Sequence, residues 1–224
     1  MLMVMKMKLK IIGKIKMRIN NLNSRRKKVL NISKKFIVKN GWNENLFLKL
    51  SENSKYKIDE LKVLFPNGYT ALLEFYLNEL NAEMILSSKK INLIRMKTHQ
   101  RIKALIMLRL NNLQKEKDLF KKTYFILALP KHSKIAVMSL YKTVDEMWFL
   151  AGDISTDFNF YSKRAILASI YSATILYWIN NNNLKQTTKF LDNQLAKVSK
   201  IPEIKNKIKN LFDLGPKIFS FFKI

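Results

Sequence analysis

The chain has 224 residues, 48% of them hydrophobic, with no cysteine, and it sets 42 Lys and Arg against 16 Asp and Glu for a net charge of +26. That length allows one domain with a sizeable core. The missing thiols exclude disulfides and cysteine-bound metal. The charge calls for an anionic membrane or nucleic-acid surface, unless the Lys-, Asn- and Ile-rich composition reflects coding bias alone.

Ten Lys and three Arg fall within the first 43 residues, with no carboxylate among them. Residues 1–23 alternate apolar Met5, Met7, Leu9 and Ile11 with Lys6, Lys8 and Lys10, and no strand partner is near. A basic, disordered extension is expected there, with a presequence or a membrane-surface arm as alternatives. A helix is expected over 24–39, with Val29, Ile32, Phe36 and Ile37 on one side and Gly41 after it. Short helices follow over 43–53, with Leu46, Phe47 and Leu50 inward, and over 58–65, stopped by Pro66-Asn67-Gly68.

Residues 24–68 thus form a three-helix unit that resembles the N-terminal helix-turn-helix domain of TetR-type regulators. A reading helix at 58–65 would bring Asp59 and Glu60 toward phosphates, and Lys55, Lys57 and Lys62 offset this only in part. Nucleic acid is therefore not the expected partner. A TetR-type DNA-binding regulator is the alternative reading.

Residues 69–200 are expected to form a larger helical bundle. Tyr69, Leu72, Leu73, Tyr76, Leu80 and Met84 share one helix face, and further helices are predicted over 89–113 and 114–129, ending at Pro130. Val137, Leu140, Tyr141, Val144, Met147, Trp148 and Ala151 form an apolar stripe that predicts a helix burying that face. Gly152 suits its end, and Asp153, Ser155, Thr156 and Asp157 offer oxygens to cap the next helix. From Ala165 to Ile179 the chain is apolar on nearly all sides, as in a core helix; its 15 residues fall short of the roughly 20 a membrane span needs. Asn180–Asn183 form a polar turn before a helix over 184–199.

Residues 201–224 differ in character. Ile204, Ile208, Leu211 and Phe212, then Ile218, Phe219 and Phe222 beyond Gly215-Pro216, lie among lysines as an amphipathic tail. Such a tail fits a membrane surface, or docking on its own bundle or on a second subunit.

Parts for catalysis are scarce. His99 and His132 lack the glutamate spacing of a di-iron bundle, and both are expected at the surface. Ser155 and Asp157 have no histidine near in sequence, and no glycine-rich phosphate loop exists. A non-enzymatic protein without a metal or cofactor is expected, whose interior is either a simple core or a site for an elongated apolar ligand.

The string Ala151, Gly152, Asp153, Ser155, Thr156, Asp157, Phe158, Asn159, Tyr161, Arg164, Ala165 and Leu167 resembles the most recognisable segment of the coenzyme Q biosynthesis protein nine family. Weaker similarity, including Gly41-Trp42 and Leu129-Pro130, extends it over roughly 29–198. The resemblance implies an all-α, TetR-like homodimer with a lipid pocket in its bundle and a membrane-binding terminal helix. It further implies an accessory role in ubiquinone synthesis, holding an isoprenoid quinone precursor for a di-iron hydroxylase. The partner face would fall on Asp145 and Trp148. Burial and helix face place the lipid against Met138, Tyr141, Ile170, Tyr171 and Ile175. The expected location is the cytoplasmic side of a bacterial inner membrane, peripherally attached through anionic lipid, or the mitochondrial matrix side.

Overall fold

The computed structural model describes residues 2–156 and 158–199, with side chains over 17–156 and 158–198. Their regular structure is helical: α1 Leu2–Asn40, α2 Leu46–Glu52, α3 Ile58–Leu64, α4 Gly68–Ser88, α5 Thr98–Leu113, α6 Lys117–Leu127, α7 Ser133–Leu150, α8 Phe158–Asn180 and α9 Leu184–Ser199. Single 3-10 turns at Leu93–Arg95, Gln114–Glu116 and Pro130–His132 precede α5, α6 and α7. The terminal tail expected to meet a membrane lies outside the described residues.

Two compact units divide the chain. Among the described residues, one takes those up to Glu83 together with Leu113–Ser139; the other takes Met84–Asn112 and those from Leu140 to Ser199.

In the first unit, α1 ends at Gly41, whose φ of 75° lets its amide donate back to the Ile37 carbonyl at 2.7 Å. The core joins Val29 and Ile37 of α1, Leu46, Phe47 and Leu50 of α2, Leu61 and Leu64 of α3, and Leu72, Leu73 and Tyr76 of α4. Each fully buried leucine here contributes about 2 kcal/mol of apolar transfer. Aromatic rings fill much of the remaining space: Phe65 meets Phe47 and Phe75 edge-on, and Trp42 donates its indole N–H to Thr123 Oγ1 at 3.0 Å.

Two expectations are corrected in this unit. The backbone of residues 2–23 is not a disordered extension but the first part of α1. The stretch has no proline, a single glycine and many Lys, Met and Leu, so helix propensity decides where no strand partner exists. His132 is not a surface residue: the 3-10 turn carries it inward, and its Nε2 lies 3.2 Å from the Tyr69 hydroxyl. Burial, followed by the charge of Lys131, pushes its imidazole below the ordinary 6.5 against a smaller pull from Glu44.

The second unit is organised on α8. Its Leu167, Ile170, Tyr171, Thr174, Ile175, Trp178 and Ile179 are buried, which accounts for a helix without a pronounced polar face. Also buried in this unit are Ile102, Leu105, Ile106 and Leu110 of α5, Val144 and Met147 of α7, and Leu191 of α9. Tyr177 stacks flat on Phe190 at 4.4 Å, and Asn183 caps α9 by accepting from the Lys185 and Gln186 amides. Helix α5 starts later than the pattern predicts because the Gln100 side chain accepts from the Lys97 amide, fixing its first turn there.

Candidate functional site

The site is built where α7 passes into α8. The end of α7 is a Schellman turn: the Gly152 amide donates to Phe149 and the Asp153 amide to Trp148, both at 3.0 Å. Gly152 has φ +81°, and a Cβ there would stand 3.1 Å from Arg101 Nη1. Arg101 occupies that space because it donates to the carbonyls of Ala151, Met96 and Ile94, tying the segment before α5 to the end of α7.

Two of the residues expected to cap α8, Asp153 and Ser155, do other work. Asp153 is almost wholly buried and accepts from Lys163 at 2.7 Å, Arg164 at 3.0 Å and the Ser155 hydroxyl at 2.8 Å. The buried Arg164 guanidinium also donates to Asp145 at 2.6 Å and to the Phe160 carbonyl at 3.1 Å, and it lies over the Phe160 ring. Burial alone would raise the Asp153 carboxyl, but the bonds from Lys163, Ser155 and Arg164 outweigh it and hold the group at about 2. Asp157 lies outside the described residues. For Asp153 and Ser155 this cluster corrects the capping expectation: with two basic side chains arriving from α8, a paired carboxylate is more stable than one spent on helix amides.

Asp145 and Trp148, the expected partner face, are one turn apart on α7 and both half-buried. Each is engaged by α8, Asp145 through Arg164 and Trp148 by donating its indole N–H to the Lys163 carbonyl at 3.1 Å. The ammonium of Lys163 sits over the Trp148 ring. Their orientation is thereby set by the same cluster.

Beside them the second unit holds a cavity of about 320 Å³, lined by Thr98, His99 and Ile102 of α5, Trp148 of α7, Ile166, Leu167 and Ile170 of α8, and Leu195 and Val198 of α9. The lining has no Lys, Arg, Asp or Glu, and its volume is at the lower end of the roughly 300–1,000 Å³ range of ligand pockets. Of the five expected lipid contacts, Ile170 lines it. Tyr171 and Ile175 are buried away from it, Tyr171 accepting from Arg109 Nε at 2.7 Å, while Met138 and Tyr141 are exposed. The expected α7 stripe points out at Val137 and Tyr141 because α7 carries apolar residues on opposite sides, and Thr143, Val144 and Met147 take the buried one. Missed by sequence reasoning were Thr98, His99 and Ile166; the apolar spacing of Leu195 and Val198 on α9 was the one available signal for the far wall. Among the described residues no three His, Asp or Glu come together as metal ligands, and no helix is long and apolar enough to cross a membrane.

Residues 134–202, which hold α7, α8 and α9 and hence the cluster and most of the cavity wall, match the COQ9 family model. Over this segment the chain is similar to COQ9 proteins. It is 37% identical over 101 residues to the ubiquinone biosynthesis protein COQ9, mitochondrial, of Rattus norvegicus, a match covering 44% of this chain and 32% of the rat protein. A longer match, 24% identical over 189 residues, joins 81% of this chain to 62% of the probable ubiquinone biosynthesis protein coq9 of Dictyostelium discoideum. The coq9 of Schizosaccharomyces pombe is 29% identical over 153 residues, covering 66% of this chain and 59% of that protein. The chain thus spans from a third to under two thirds of these COQ9 relatives. A TetR transcriptional regulator from Nitrosomonas europaea superposes with a TM-score of 0.65 at 16% identity, covering 79% of this chain and 98% of its own, and the fold is TetR-like and all-α.

Proposed function

We propose that this protein is a non-catalytic accessory protein of ubiquinone biosynthesis that binds an isoprenoid quinone precursor and presents it to a di-iron hydroxylase at the membrane. One observation carries the reading: a cavity without Lys, Arg, Asp or Glu in its lining is walled mostly by the helices of the COQ9-matching segment. Burying a prenyl chain there removes apolar surface from water, while Thr98 and His99 offer polar contacts for a head group.

The division of labour follows the sequence. Residues 24–68 form the helix-turn-helix-like unit, 69–200 the ligand-binding bundle and 201–224 the membrane-binding tail. Asp145 and Trp148, held in place by Arg164 and Lys163, face the hydroxylase. The protein acts as a homodimer, peripherally attached to a bacterial inner membrane or, as the names of its relatives have it, in mitochondria. The rival role of DNA binding meets a seven-residue α3 with Asp59 exposed in its first turn.

Lipid extraction and mass spectrometry of the purified full chain test the proposal. An isoprenoid lipid recovered with the protein, and lost when Ile170→Trp fills the cavity, is the expected result. Lipid-free protein that binds duplex DNA sequence-specifically at moderate salt would replace it with the regulator reading.

A further inference from the structure

We infer that the α7–α8 turn and the segment between α4 and α5 together form an apolar, basic tip that inserts into an anionic lipid surface, in addition to any contact made by the tail. Ile154 in the turn is 92% exposed and Ile94 in the segment before α5 is 87% exposed. Phe149, Phe158 and Tyr161 stand exposed on either side of the turn. So many large apolar side chains around one short turn are costly to leave in water.

The two loops belong to one structure. Arg101 joins them, donating to the Ile94 carbonyl at 3.1 Å and to the Ala151 carbonyl at 2.8 Å. The turn itself is anchored from beneath, since Asp153 is tied down by Lys163, Arg164 and Ser155. Its apolar residues are therefore displayed by a fixed backbone, and the Asp153 carboxylate is turned inward and neutralised by its partners.

Charge identifies the occupant. The sequence from 89 to 101 contains Lys89, Lys90, Arg95, Lys97 and Arg101 and no Asp or Glu, and the first four of these are exposed. Apolar side chains that enter the acyl region, beside cations that meet headgroup phosphates, match the chemistry of an anionic bilayer interface. The cavity is lined from the start of α5, the end of α7, the first half of α8 and the end of α9. Inserting the tip places that end of the second unit at the lipid. The inference stands whether or not the cavity holds a lipid.

Because the chain has no cysteine, single cysteines report each site without background. The full-length chain is labelled with an environment-sensitive dye at Ile154→Cys, at Phe219→Cys in the tail and at Val63→Cys, an exposed control in the first unit. With phosphatidylglycerol–phosphatidylcholine vesicles, the dye at 154 is expected to shift to the blue and to lose access to a water-soluble quencher, while the dye at 63 does not change. The double substitution Ile154→Glu with Phe158→Glu is expected to weaken vesicle binding by about tenfold or more, given the transfer energy of two large apolar side chains. A dye at 154 that stays in water while the dye at 219 is immersed would overturn the inference and leave the tail's role standing. Absence of vesicle binding, or shielding of 154 only by added hydroxylase, would overturn it as well. Cargo is read separately by lipid extraction, so its failure is not confused with this one.

Discussion

Each unit has a hollow of similar size, and their linings differ in kind. The one in the first unit, about 390 Å³, is bordered by Glu44 and Lys62 together with Phe47, Leu48, Ile58, Pro66, Gly68 and Tyr69. The one in the second unit, about 320 Å³, has no Lys, Arg, Asp or Glu in its lining. Water competes well for a surface with an ammonium and a carboxylate in it, and poorly for a wall of Ile, Leu, Val and Trp, so only the second suits a prenyl chain. The buried polar groups divide the same way. The first unit buries a neutral imidazole, whereas the second buries a carboxylate paired with a guanidinium, the arrangement that holds α7 and α8 in register beside the cavity.

The comparison is broken most severely at Arg164. Arg164→Met leaves Asp153 buried with Lys163 as its one remaining cationic partner beside the Ser155 hydroxyl, and is expected to cost about 3–5 kcal/mol in urea denaturation and to loosen Trp148 with it. A loss under about 1 kcal/mol would mean that the cluster behaves like a surface ion pair. Gly152→Ala is expected to cost about 1–2 kcal/mol, because its φ of +81° disfavours a side chain and Arg101 must also give way.

Acid separates the two units. An unfolded chain takes up a proton at His132 near 6.5 that the folded chain resists, so stability should fall as pH drops through that value, and His132→Gln should flatten this part of the profile. Asp153 acts in the same sense over a lower window: its stabilisation is complete above 3.8 and is lost as pH falls toward about 2, and Asp153→Asn should remove that second loss. Chemical denaturation followed across pH reads both. The smallest effect on stability is expected from filling the hollows. Ile170→Trp should change it by about 1 kcal/mol while abolishing lipid recovery, and Leu48→Trp, in the first unit's hollow, should leave recovery intact.

Patterns that act over a few residues could be read in advance. Asn183 before an amphipathic run marked α9, Gly41 and Gly152 marked helix ends, and the unbroken apolar run of α8 marked a surrounded helix. What escaped depends on contacts distant in sequence. Arg164 meets Asp153 and Asp145 across a turn, and capping explained the same aspartate equally well from its local spacing. The facing of α7 escaped for another reason: with apolar residues on both sides, periodicity fixes the helix but not which side is covered. His132 was hidden because Tyr69, the side chain its ring meets, lies 63 positions away.

The most direct test is a fluorescence titration of the full chain with a short-chain isoprenoid quinone, since quinones quench indoles and Trp148 lines the second unit's cavity. Saturable quenching that disappears in Trp148→Phe, with Trp42 and Trp178 still present, is the predicted result. Quenching that rises linearly without saturation, and is the same in Trp148→Phe, would contradict it.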